Sequence, residues 1–162
     1  MAEVELRLLG PVRALVDGHD VDIGGPRSRA VLATLGLARS GLTVERIVDG
    51  VWGAQPPDSA VRTARSYLSR LRSALGSETV VSVRGRYALD QRVSVDVDSF
   101  ERDLGVEGDA AQQILALRHA LALWDGDAPL VGGEPAERGA VEHLLDRRRE
   151  ARHRLALLLW QT

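Results

Sequence analysis

The sequence contains no cysteine and no lysine. Without cysteine there are no disulfides and no thiolate metal sites, and the composition fits a reducing compartment. All 21 basic residues are arginine, a bias that GC-rich coding accounts for without any appeal to function. The first residues, Met1-Ala2-Glu3-Val4-Glu5, are acidic and lead into no apolar core of signal-peptide length. The longest aliphatic run, Leu155 to Trp160, falls far short of the ~20 residues that cross a bilayer. A cytoplasmic, nucleoid-associated protein with no membrane partner is therefore expected. Several chemistries also lack their motifs. Gly24-Gly25-Pro26-Arg27 has no Gly-Lys-Ser/Thr ending and is not a phosphate loop, and His19, His119, His143 and His153 show no zinc spacing beside a glutamate. No serine has nucleophile-elbow flanks. Asp96-Val97-Asp98-Ser99 is not followed by the further oxygen ligands of a calcium loop. No catalytic residue, cofactor or metal is expected, and an enzyme is not.

What is present is an ordinary globular composition, 44% hydrophobic and 27% charged, with an uneven charge. Residues 1–92 hold thirteen arginines against ten acids, whereas residues 93–162 hold eight against thirteen. The net charge of -2 thus divides into +3 and -5, with the first part able to meet a polyanion. Residues 4–9, 12–16 and 21–23 alternate as strands, with turn signals at Gly10-Pro11 and Asp17-Gly18. Pro26 opens a helix carrying Val31, Leu32, Leu35 and Ala38 at helical spacing, ended by Gly41. Thr43 caps a second helix that stops at Gly53, and Asp58 or Ser59 caps a third that runs to Leu75. Val80–Val83 and Tyr87–Leu89 form a hairpin around Arg84-Gly85-Arg86. Val93–Val97 reads as a linker or a last strand. Beyond it the pattern is all helical: Asp98 caps a short helix through Leu104, and Asp109 to Leu123 and Glu134 to Trp160 read as two longer helices.

The third helix carries the functional signal. At 100° per residue, Val61, Ala64, Leu68, Leu71 and Leu75 form one apolar stripe that must face a core. Arg62, Thr63, Ser66, Ser69, Arg70 and Ser73 occupy the opposite side, and Arg65 and Arg72 flank the apolar edge. That outward face contains no acid, whereas ordinary surface helices mix signs at i, i+3 and i, i+4. Arginine can fork onto guanine or phosphate, and short hydroxyl side chains let a helix backbone come close to base edges. Arg84 and Arg86 at the hairpin tip would reach flanking phosphate.

Tyr67-Leu68-Ser69-Arg70-Leu71-Arg72-Ser73-Ala74-Leu75-Gly76 followed by Arg84-Gly85-Arg86-Tyr87-Ala88-Leu89 resembles the recognition helix and wing of OmpR-like winged helices. Leu8-Leu9-Gly10-Pro11-Val12, the Gly24-to-Ala33 stretch and Val51-Trp52-Gly53-Ala54-Gln55-Pro56-Pro57 resemble the Streptomyces antibiotic regulatory protein (AfsR/SARP) family. Asp96-Val97-Asp98-Ser99-Phe100-Glu101 and Ala120-Leu121-Ala122-Leu123-Trp124-Asp125-Gly126-Asp127 resemble the start of that family's bacterial transcriptional activation domain.

The resemblance implies an α+β chain in two domains. Residues 1–92 would be a winged helix of three strands, three helices and a hairpin wing, and residues 93–162 a partial, tetratricopeptide-like all-α activation domain. It implies a sequence-specific regulator of transcription, an activator that binds double-stranded DNA at direct repeats, as a homodimer on DNA, and recruits RNA polymerase. The Gly53, Ala54, Gln55 and Asp58 loop lies where related winged helices meet polymerase. The alternative is a protein-interaction module whose winged helix no longer binds DNA. Leu155, Leu158 and Leu159 share one side of the last helix, with Ala156, Leu157 and Trp160 widening the apolar surface, which predicts self-association there.

Overall fold

A computed structural model describes residues 2–136 and 138–162. Strand β1 (Val4–Arg7) buries Val4 and Leu6 and leaves Glu5 and Arg7 half-exposed, the period of two of a sheet with one covered face. It pairs antiparallel with β2 (Arg13–Val16) in the register Val4↔Val16. β2 in turn pairs with β3 (His19–Val21). Asp17 and Gly18, with φ of 50° and 81°, make a two-residue turn that puts His19 opposite Val16. The third strand therefore begins two residues before the alternating Val21–Ile23 segment predicts, because the turn sets the register.

Helix α1 (Pro26–Leu37) has proline in its first turn and ends before Gly41. β4 (Leu42–Thr43) follows, then α2 (Val44–Trp52), where the Thr43 hydroxyl accepts the Arg46 N–H at 3.3 Å. Gly53, at φ 75°, ends α2 in a conformation that glycine adopts freely. α3 (Ala60–Leu75) buries Ala64, Leu68, Leu71 and Leu75 and packs across α1 and α2. β5 (Val80–Val83) and β6 (Arg86–Leu89) form the expected hairpin, and β4 joins it in the order β4-β6-β5. Two residues carry no periodicity, so β4 was not legible in the sequence.

The segment after the hairpin returns to the first sheet. β7 (Ser94–Val95) pairs parallel with β1, giving the order β3-β2-β1-β7. α4 (Asp96–Leu104) starts immediately, with Val95 rather than Asp98 at its cap position. Asp98 instead faces Arg39, 3.3 Å away, while Asp96 turns inward and accepts the N–H groups of Leu8 (2.8 Å) and Leu9 (3.0 Å). α5 (Ala110–Ala122) carries a full capping box, in which Asp109 accepts the Gln112 N–H at 2.8 Å and Gln112 accepts the Asp109 N–H at 3.0 Å. α6 (Gly139–Gln161) begins five residues later than Glu134. Pro135 disfavours helical backbone at the residue before it.

One hydrophobic core runs through all these elements, from Leu6, Leu32 and Leu68 to Phe100, Leu117 and Leu144. Phe100 meets Trp124 edge-to-face, with centroids 5.6 Å apart. The connection between α5 and α6 is laced to the front of the molecule by backbone. Asp125 N–H donates to Leu9 O (2.7 Å), Leu130 N–H to Leu8 O (2.8 Å), Val12 N–H to Val131 O (2.9 Å) and Ala136 N–H to Gly50 O (2.7 Å). Gly133 lies so close to α1 that a Cβ there would stand 2.9 Å from the Arg29 carbonyl carbon. Arg147, on α6, reaches Glu101 on α4 at 2.7 Å. Leu155 and Leu158 pack partly against the core, while Leu157, Leu159 and Trp160 are exposed.

Candidate nucleic-acid interface

The apolar stripe of α3 decides which of its side chains face outward. With Ala64, Leu68, Leu71 and Leu75 held in the core, Arg62, Arg65, Ser66, Ser69, Arg70 and Ser73 are exposed, and Thr63 and Arg72 are half-buried. The helical face predicted from the sequence is thus assembled. The Ser73 hydroxyl donates back to Ser69 O at 3.2 Å. Among the described residues, none of Arg62, Arg65, Arg70 and Arg84 takes part in an ion pair. This is a surface of uncompensated positive charge, suited to a polyanion.

Two of the expected arginines are partly committed to the fold. Arg72 donates through Nε to Val80 O at 2.9 Å and lies 5.8 Å from the Tyr87 ring centroid, tying α3 to β5 and β6. Arg86 is not at the hairpin tip. The tip is Arg84-Gly85, with φ of 55° and 75°, and Arg86 opens β6 opposite Val83 and Thr43. Its Nη2 donates to Gly41 O at 2.9 Å, which anchors the hairpin to the start of β4. Of the two arginines expected at the tip, only Arg84 lies in the turn itself. In the α2–α3 loop, Gly53 is half-buried, and Ala54, Gln55 and Asp58 are exposed. Ser59 occupies the cap position of α3 without a side-chain capping bond.

Arg27 and its neighbours add a feature to which helical periodicity does not point. Arg27, in the first turn of α1, is exposed and stands 5.4 Å from the Trp52 ring centroid. Trp52 and Tyr67 stack with centroids 6.5 Å apart and planes at 19°, and Arg70 lies 5.9 Å from the Tyr67 centroid. Each cation–ring contact at an exposed site is worth ~0.5–1 kcal/mol. The rotamer entropy of an arginine is about 2 kcal/mol, so the rings bias these side chains without locking them. The available signal was the absence of an acid three or four residues after Arg27, where Ala30 and Val31 stand.

No helix among the described residues is long and apolar enough to cross a membrane. No group of three or more histidines and acids among them could hold a metal ion. Among the described residues the fold is a mixed α+β arrangement of two small sheets and six helices. Nearly all of it superposes on a solved structure of Mycobacterium tuberculosis EmbR in complex with a low-affinity phosphopeptide. The TM-score is 0.68 at 26% identity, over 99% of this chain and 43% of that one.

Sequence relatives point the same way. Regulatory protein AfsR of Streptomyces griseus is 39% identical over 131 residues, covering 75% of this chain. Regulatory protein DnrI of Streptomyces peucetius is 33% identical over 145 residues, or 77% of this chain. Transcriptional regulatory protein MoaR1 of Mycobacterium tuberculosis is 30% identical over 145 residues, or 80% of this chain. The chain is a homologue, over most of its length, of regulators of the SARP family. It spans 13% of AfsR, 46% of MoaR1 and 53% of DnrI. No protein-family model matches the sequence.

Proposed function

We propose that this chain is a sequence-specific DNA-binding regulator of transcription acting in the cytoplasm, with residues 1–92 as a winged helix and residues 93–162 as part of an activation domain. The acid-free exposed face of α3 carries this reading. An α-helix fits the major groove, and its arginines and hydroxyls can address base edges there. Arg62, Ser66, Ser69, Arg70 and Ser73 face the bases, with Thr63 at the margin. Arg65 and Arg84 meet phosphates, and Arg72 and Arg86 brace the helix and the hairpin while adding positive charge. The exposed residues Ala54, Gln55 and Asp58 beside Gly53 offer RNA polymerase a contact, and head-to-tail copies occupy direct repeats, as the family relationship implies for an activator.

The test begins with selection of bound duplexes from a random library. Arg62→Ala and Arg70→Ala should each weaken binding to the selected duplex by ~1–3 kcal/mol while changing binding to scrambled duplex far less. Equal losses on both would make the contacts purely electrostatic. Failure of the library to enrich would leave the protein-interaction reading in place. Arg84→Gln should weaken both duplexes alike and flatten the log–log salt dependence by about one unit. An unchanged slope would remove the hairpin tip from the interface.

A further inference from the structure

The outward face of α3 has two borders, and they are built differently. On one side Arg72 ties the helix to Val80 and Tyr87, so this border of the helix meets the hairpin. On the other side lie Thr63, Tyr67, Arg70 and Ala74, and here α3 meets the start of α1. Gly24, Gly25, Tyr67 and Arg70 enclose a shallow hollow of about 200 Å³. Four side chains from three helices stack along this second border in the order Arg27, Trp52, Tyr67, Arg70. The two rings are half-buried and fixed in the packing, and the two guanidinium groups at the ends of the stack are exposed. Neither arginine has an ion-pair partner among the described residues. The acid bordering the hollow, Asp22, accepts the Gly24 N–H at 2.9 Å.

A helix lying in the major groove has a phosphate strand along each side. The hairpin can serve only the strand on its own border. We propose that Arg27 contacts the phosphate strand on the opposite border, and that Trp52 and Tyr67 are positioning residues that bias Arg27 and Arg70 toward the planes from which they reach DNA. The proposal rests on the DNA-binding reading above and adds a site outside both α3 and the hairpin. It gives the aromatic pair a task that packing alone does not require, since both rings end under a cation.

The full chain and duplex selected from a random library supply the test, with scrambled duplex as control and binding followed across a potassium chloride series. Arg27→Gln should weaken both duplexes by a similar factor and flatten the log–log slope by about one unit. Raising the salt from about 50 to about 200 mM should then cost the variant roughly 3.5-fold less affinity than it costs the parent. Tyr67→Leu keeps every charge. It should leave the salt slope in place, reduce the ratio of selected to scrambled binding, and make Arg70→Ala cost less in its background than alone. Tyr67→Phe, which keeps the ring, should restore the ratio. An unchanged slope for Arg27→Gln, beside a flattened slope for Arg84→Gln, would overturn the Arg27 contact and leave the DNA-binding reading intact. Additive losses for Tyr67→Leu and Arg70→Ala would overturn the positioning role. Absence of binding by the parent protein to any duplex would overturn both this proposal and the reading beneath it.

Discussion

Residues 1–92, produced without the helical half, should fail to form a native fold. The cut removes β7, the parallel neighbour of β1, together with buried Val93 and Val95. It removes Phe100 and Leu130, both fully buried, and Trp124. It also strips the segment from Leu8 to Val12 of its backbone partners. The N–H groups of Leu8 and Leu9 lose Asp96, that of Val12 loses Val131, and the carbonyls of Leu8, Leu9 and Gly10 lose Leu130, Asp125 and Val131. An unpaired polar group costs ~1–3 kcal/mol where it stays buried, and a domain's total stability is only about 5–15 kcal/mol. The fragment should show a collapsed amide spectrum and no cooperative thermal transition, whereas the full chain should melt in one step. A dispersed spectrum for the fragment would show that the shared core is dispensable. A graded version uses the full chain: Phe100→Ala should lower its unfolding free energy by ~3–5 kcal/mol in urea titration, the range for deleting a buried aromatic side chain.

The stability of the full chain should fall as pH rises through the range of one carboxyl group. Burial pushes Asp96 up to about 6, outweighing the N–H groups of Leu9, Leu8 and Val97 that favour its anion, and the nearby charge of Glu5 acts in the same direction as burial. A folded-state value above the unfolded one means that the fold prefers the protonated acid. The contribution is complete below about pH 4 and is lost as pH climbs through about 6. The rise from the ordinary value of 3.8 to about 6 corresponds to about 3 kcal/mol. Asp96→Asn cannot ionise. Its stability relative to the parent should therefore improve by about that amount between pH 4 and pH 7, measured by denaturant titration at each pH. Parallel profiles for the two proteins would show that Asp96 keeps an ordinary value in the fold.

Features with a strong local cause were legible in the sequence. Thr43, Asp109 and the apolar stripe of α3 act within one or two helical turns, and each stands where its pattern placed it. The outward side chains of α3 followed directly, because burying Leu68 and Leu71 leaves Arg62, Ser66 and Ser69 no other direction. Features caused by distant chain were not legible. Val93–Val97 could be a linker or a strand until β1 arrived to pair with it. Asp98 has the chemistry of a helix cap, but β7 runs directly into α4 and moves the cap position to Val95. Arg86 looked like a tip residue because Arg84-Gly85-Arg86 does not reveal which two residues make the turn. The positive φ of Arg84 and Gly85, and the pairing of Arg86 with Thr43, decide it. The Arg27–Trp52–Tyr67–Arg70 stack joins residues as far as forty-three positions apart, and the missing acid after Arg27 says nothing of the rings it meets.

Among the described residues, the lacing of the α5–α6 connection onto Leu8–Val12 and Gly50 ties the acidic helical half by backbone to the part of the molecule that carries the basic helix. On the DNA-binding reading, the molecule is then a ruler with a fixed phase. Whatever docks on the helices is held at one angle around the DNA axis relative to the bases under α3. A promoter that moves the binding site by half a helical turn, ~5 base pairs, carries that docking surface to the far side of the duplex.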